Sequence, residues 1–398
     1  MTLAWLLPLR AGSSSTNWIG VSGSWNQGPN WSGGAVPSNT DLAGIFSGTV
    51  SVDAAGSVGG ILLSGGQIAG PSALTLLGTA SEWTQGSLTG GELVISSGAQ
   101  LLISGPSVKD FRQHQITNQG TINWTGGELR SGDGGTITNQ AGATFNDATT
   151  ANYYFSNYYS GVYDFVNQGT YNKTGTSTTS VYAKLVNSGA MNIQAGELQL
   201  SGGGQTDATG SFNVSSGAKL MFVADYSVAD ASDLLGSGAY QLYSGTLTLD
   251  GTLNSSAFTQ TGGRLLGTQT FTAGYTWQGG NWVADATGPS TTNAAGSTLT
   301  ISTASTHDFK SRAIVNQGTI NWTGGELRSG LGGTITNQAG ATFNDATTAN
   351  YYFSNYYGGV YDFVNAGTYN KTGTSTTSVY AKLVNSGAMN IQAGELQL

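Results

Sequence analysis

The stretch IVNQGTINWTGGELRSG, Ile314–Gly330, occurs at Ile116–Gly132 with one change, Thr117 in place of Val315. The match runs on. Ile116–Leu200 and Ile314–Leu398 align without a gap at an offset of 198. They differ only at Thr117/Val315, Asp133/Leu331, Ser160/Gly358 and Gln168/Ala366. Inside each copy a shorter phrase returns: an apolar residue, a free position, Asn, then Gly and a second apolar run. It reads ITNQGTIN from Ile116, ITNQAGATFN from Ile137, FVNQGTYN from Phe165 and LVNSGAMN from Leu185. The recurring residues are Asn118, Asn139, Asn167 and Asn187, and Asn316, Asn337, Asn365 and Asn385 in the second copy.

Each run alternates apolar and polar, the pattern of a strand with one buried face. Asn and Gly tolerate positive φ, so the phrase predicts a strand, a sharp corner and a second strand. The Gly-Glu-Leu turns, as at Gly127-Glu128-Leu129, add a third. Repeats of this length belong to solenoids, propellers or arrays. With no helical stretch between strands and uneven unit lengths, the expectation is an all-β parallel solenoid of roughly 16 coils, each advancing about 4.8 Å. One coil cannot bury its apolar face alone; stacking does that. The eight Asn residues either form an internal amide ladder or serve only as turn formers.

Composition narrows the partners. Charged residues make up 9%, well below the usual quarter, and 62 residues are Gly. Phased apolar positions at 38% hydrophobic content argue for a folded chain with a neutral polar exterior. The net charge of −8, with only 13 Lys and Arg, argues against nucleic acid and anionic membrane surfaces. No run of 18 apolar residues reads as a spanning helix, so membrane insertion is not expected. The absence of Cys excludes disulfides and thiolate metal sites. Such a Cys-free, Gly/Ser/Thr/Asn-rich chain suits export and an extracellular or cell-surface place.

In chain order, residues 1–48 form a Trp-rich region with Trp5, Trp18, Trp25 and Trp31. They read either as a cap over unpaired strand edges or as a sugar-stacking surface. Met1–Gly12 reads as a leader remnant or an apolar part of the cap. Residues 49–200 then form a first solenoid unit and residues 201–398 a second, in one continuous body. Ser227–Leu235 holds a possible helical turn. Trp25, Asn30-Trp31, Gly34, Pro37, Asp41, Ala43 and Ile45 form an opening phrase, followed by the VNxGTxN…GGEL coils. Together these resemble bacterial autotransporter passengers and filamentous-haemagglutinin-like adhesins. The resemblance covers nearly the whole chain. It implies a right-handed β-helix, export and a surface role.

Candidate contact residues lie in the longest coil: Tyr153, Tyr154, Tyr158, Tyr159, Tyr163 and Asp164, repeated as Tyr351, Tyr352, Tyr356, Tyr357, Tyr361 and Asp362. Paired Tyr rings give flat amphipathic contact area at low entropic cost. The alternative is that every other Tyr packs inward. The charged clusters at Lys109, Asp110 and Arg112, and at His307, Asp308 and Lys310, read as solvated loops with local ion pairs. The two His residues have no metal spacing, and no cofactor motif appears. A carboxylate pair such as Asp147 with Asp164 is the one glycosidase-like arrangement left open. The expectation is a non-enzymatic, exported adhesive or structural protein, bound to a glycan, a host or cell-surface ligand, or copies of itself. The alternatives are a self-assembling filament subunit and a polysaccharide-binding or -cleaving β-helix protein.

Overall fold

The computed structural model describes residues 15–161, 163–255, 257–284 and 288–398. Trp5 and Met1–Gly12 lie outside them. The chain is a parallel β-solenoid of about 17 turns. Two short 3-10 segments are its helical elements among the described residues, one of them Ala231–Asp233 within the stretch expected to turn. By internal packing it divides after Tyr171, into units Met1–Tyr171 and Asn172–Leu398.

In the first unit a turn consists of three strands, for example Thr121–Trp124, Leu129–Ser131 and Gly135–Asn139. Each pairs in parallel with its equivalent one turn on: Thr144–Asp147, Tyr153–Asn157 and Tyr163–Asn167. The register is strict, so Ile122 sits on Phe145 and Ile137 on Phe165. Inward rings stack within a turn, Phe155 on Phe165 at 5.0 Å, and between turns, Phe145 on Tyr171 at 5.7 Å. The second unit repeats this with Phe353 on Phe363 at 4.8 Å and Phe343 on Tyr369 at 5.6 Å. Each buried ring contributes on the order of 2 kcal/mol of burial.

Trp18, Trp25 and Trp31 are buried and pack edge to face, at 5.2 Å and 4.8 Å between ring centroids. The Trp31 indole N–H donates to the Trp25 carbonyl at 2.8 Å. These three rings therefore fill the first coil and are not a sugar-stacking face.

The Asn residues form the ladder. Asn118 Nδ2 donates to Asn139 Oδ1 at 2.8 Å, and Asn139 to Asn167 at 2.8 Å. In the second unit the ladder runs Asn293, Asn316, Asn337, Asn365, Asn385, with every amide-to-amide bond 2.7 or 2.8 Å. Asn293 is a rung that the phrase did not reveal. Asn187 is buried and donates to the Ser211 carbonyl at 3.4 Å. A second, outward row pairs Asn146 with Asn123 at 2.9 Å, and Asn344, Asn370 and Asn390 follow suit.

The corner chemistry differs from expectation. None of the ladder Asn residues has a positive φ, and neither do Gly120, Gly169, Gly318 or Gly367. These glycines are required for space. A Cβ at Gly120 would strike the carbonyl oxygens of Ser96 and Ala99 on the preceding turn, and one at Gly318 those of Ala294 and Ser297.

Replacing Asn337 by Leu strands the Asn316 donor and the Asn365 acceptor inside the solenoid. The expected loss is about 3 kcal/mol, read as a lower denaturant midpoint. A second test uses His114 and His307. Both are buried, and burial lowers their pKa from the ordinary 6.5 to about 4. The unfolded chain takes up protons first as pH falls. Stability is therefore full above about pH 6.5 and is lost towards pH 4, by about 3 kcal/mol per His at the limit. The thermal midpoint should drop on acidification, and drop less in the His114→Gln/His307→Gln variant.

Candidate functional site

The twelve residues of the Tyr-rich coils separate into five environments. Tyr163 and Tyr361 are buried against Phe111 and Phe309, at 5.4 Å and 5.5 Å, so they present no ring to a ligand. Burial raises both phenols well above their ordinary value. Tyr153 and Tyr351 lean on Trp124 and Trp322, at 6.2 Å and 6.3 Å. Tyr154 and Tyr352 point outward from their strands, and Tyr352 meets Tyr380 at 5.9 Å. Tyr380 is 66% exposed and had no signal in sequence, because the pairing depends on the turn-to-turn register. Asp164 and Asp362 sit half-exposed on the outward face of their strands.

Tyr158 with Tyr159, and Tyr356 with Tyr357, form the candidate site. In the first unit the Arg130 guanidinium lies 4.2 Å from the Tyr158 ring centroid. It holds Asp110 through two bonds of 2.6 Å and 2.7 Å. Tyr159 donates its hydroxyl to Asp110 Oδ1 at 3.0 Å and stands edge-on to Tyr158 at 5.2 Å. Arg112 bonds Asp133 at 2.7 Å and lies 5.3 Å from the Tyr159 ring. The second unit repeats the core of this arrangement. Arg328 lies 4.3 Å from Tyr356 and holds Asp308 at 2.7 Å and 2.7 Å. Tyr356 and Tyr357 stand edge-on at 5.1 Å.

The loop that carries each pair is pinned. Tyr158 N–H donates to the Ser131 carbonyl at 2.9 Å, and Asn157 Nδ2 closes the loop on the Gly161 carbonyl at 3.1 Å. The second copy uses Tyr357 N–H on Ser329 and Asn355 on Gly359. Tyr158 is 63% exposed and Tyr356 62%, so the rings stand in solvent on a fixed backbone. Each cluster offers an aromatic face beside a charge-assisted hydrogen-bonding edge. The guanidinium and the Tyr159 hydroxyl occupy the Asp110 carboxylate. Asp110 raises the Arg130 pKa above its ordinary value; burial first and then Asp110 raise that of Tyr159.

The charged stretches resolve into pairs one turn apart, not local pairs. Asp110 pairs with Arg130 and Arg112 with Asp133. Lys109 is buried, caps the Gly105 and Ser107 carbonyls at 3.2 Å and 2.6 Å, and is pushed down to about 8 by burial. The glycosidase-like pair is not formed at the surface. Asp147 is fully buried on the inward face of Thr144–Asp147 and accepts from Tyr171 at 2.8 Å, whereas Asp164 is on the outward face of another strand, Tyr163–Asn167. Its counterpart Asp345 is likewise sealed, bonded to Tyr369 at 2.7 Å, Thr377 at 2.6 Å and Lys371 at 3.4 Å. A separate open groove of about 540 Å³ in the second unit is lined by small residues with the Glu197–Lys219 ion pair at 2.6 Å. It has no aromatic wall. Among the described residues, no three His, Asp or Glu side chains group as a metal site. No helix there is long and apolar enough to cross a membrane. Comparison with protein-family models, with curated proteins and with solved structures returns no match.

Backbone strain gathers at these clusters. Asp133, Ser160 and Leu331 have φ of 53°, 61° and 52°, the left-handed region that disfavours β-carbon-bearing residues. Leu331 is also 46% exposed, so neither conformation nor burial favours it. Leu331→Gly should raise stability by about 1 kcal/mol in chemical denaturation. Asp133→Gly should gain less, because it also breaks the ion pair with Arg112.

Proposed function

We propose that this chain is an exported, extracellular or surface-displayed bacterial protein that binds glycans through the two Tyr/Arg/Asp clusters. The observation that carries the reading is the duplicated, solvent-exposed Tyr158–Arg130–Asp110 arrangement and its copy Tyr356–Arg328–Asp308. A pyranose ring places its C–H face on an aromatic ring and its hydroxyls on neighbouring charged donors and acceptors. The rings are held in place before binding, which lowers the ordering entropy of association. Two clusters on one chain raise avidity without requiring either to bind tightly. The low charge, the absence of Cys and the resemblance of the Trp25–Ile45 phrase to autotransporter passengers support export and an adhesive role.

The test is a glycan array probed with the full chain and with the Tyr158→Ser/Tyr159→Ser/Tyr356→Ser/Tyr357→Ser variant, scattering recorded for both. Binding by the natural sequence that falls at least roughly tenfold in the variant supports the reading, since each stacked ring contributes on the order of 1 kcal/mol. Binding that survives the four changes places the contact elsewhere. Multimers that dissolve in the variant, without glycan binding by either protein, favour a self-assembling subunit instead.

A further inference from the structure

We infer that the second cluster, Lys310 with Leu331, Tyr356 and Tyr357, selects carboxylated saccharides, whereas the first takes neutral ones. This deepens the glycan-binding reading and rests on it. The two long copies differ at four of 85 aligned positions, and two of the four meet at this one place. Asp133 N–H donates to the Ser160 carbonyl at 2.8 Å; Leu331 N–H donates to the Gly358 carbonyl at 2.8 Å. Backbone geometry is kept, with φ of 53° and 52°, while the side chains change. A third change, Arg112 to Lys310, lies just before the aligned block at the same offset and faces the same Tyr.

The changes alter charge. In the first cluster Arg130 is balanced by Asp110 and Arg112 by Asp133. In the second Arg328 takes Asp308, and Leu331 offers no carboxylate to Lys310. Among the described residues Lys310 has no ion-pair partner; its ammonium lies 5.8 Å from the Tyr357 ring centroid. Glu128 and Glu326 occupy equivalent positions in the two copies and leave the difference intact. The second cluster thus keeps one cation uncompensated, beside an exposed apolar side chain and two aromatic rings.

Leu331 is unexplained by folding. It is held at positive φ and stands in solvent, where Gly or Asp would sit with less strain. A ligand with an apolar face and one negative charge accounts for both features. A uronic-acid-type sugar has that form: the C–H face rests on Leu331 or Tyr356, and the carboxylate accepts from the Lys310 ammonium. In the first cluster the Asp133 carboxylate would repel the same group.

The experiment uses the full chain with one cluster disabled at a time, by Tyr158→Ser/Tyr159→Ser or by Tyr356→Ser/Tyr357→Ser. Each variant is titrated calorimetrically with oligomers of polygalacturonate, alginate and hyaluronate, and with their carboxyl-reduced neutral forms. With only the second cluster intact, at least one acidic oligomer should bind roughly five-fold tighter than its reduced form, the value of about one half-exposed charge pair. That preference should shrink as salt is raised and vanish in Lys310→Gln. Asp133→Leu should confer it on the first cluster, and Leu331→Asp should remove it from the second. Equal or tighter binding of the reduced forms by the second cluster overturns this inference and leaves the glycan reading standing. No binding of any oligomer, acidic or reduced, by either cluster overturns both.

Discussion

Everything in this molecule depends on in-register parallel pairing between successive turns. A strand that bonds its neighbour residue for residue places like above like, so one side-chain choice is tested against itself on every turn. A buried polar residue survives this only if it satisfies its own copy. Asn does, because its amide both donates and accepts: Asn316 gives to Asn337, and Asn337 to Asn365. Aromatic rings do it by stacking, as Phe343 does on Tyr369 one turn on. The glycines of the Asn-x-Gly corners belong to the same constraint, since the carbonyls of the turn below leave no room for a Cβ.

Because the scaffold is so regular, departures from it carry information. The stacked rings and the amide ladder recur in the two copies, and the loops under Tyr158 and Tyr356 are pinned in both, to Ser131 and Ser329. Of the four changes, Thr117/Val315 and Gln168/Ala366 lie apart, while the other two, Asp133/Leu331 and Ser160/Gly358, meet at a loop tip. The strained residues Asp133, Ser160 and Leu331 stand there as well. Strain kept at an exposed position, with no burial to offset it, is better accounted for by contact than by stability.

Much of the fold was legible because the recurring phrase states the coil directly, and period two states which side is buried. The same parity contained the fate of several site residues. Tyr163 stands two positions from Phe165, and Asp147 two from Phe145, so each shares the inward face of its neighbour. Proximity in sequence suggested a surface cluster instead. Other features were out of reach. The partner of Asp110 is Arg130, a residue one turn away, and finding it requires the exact coil length. Tyr380 meets Tyr352 for the same reason. The role of Gly318 was misjudged because turn propensity and steric exclusion both select glycine; only the positions of the Ala294 and Ser297 carbonyls distinguish them.

The amide ladder has a direction. Each amide-to-amide bond runs from the NH2 of one rung to the carbonyl oxygen of the rung later in sequence, from Asn118 to Asn139 to Asn167, and from Asn293 through to Asn385. The side-chain dipoles therefore add head to tail, and each bond polarises the next. Each unit carries an electrical polarity along its stack, positive towards higher residue numbers, made of neutral groups that are buried at every rung but Asn385. In a chain with so few charges, this aligned file of amides is a standing internal field, and reversing one rung would set it against all its neighbours.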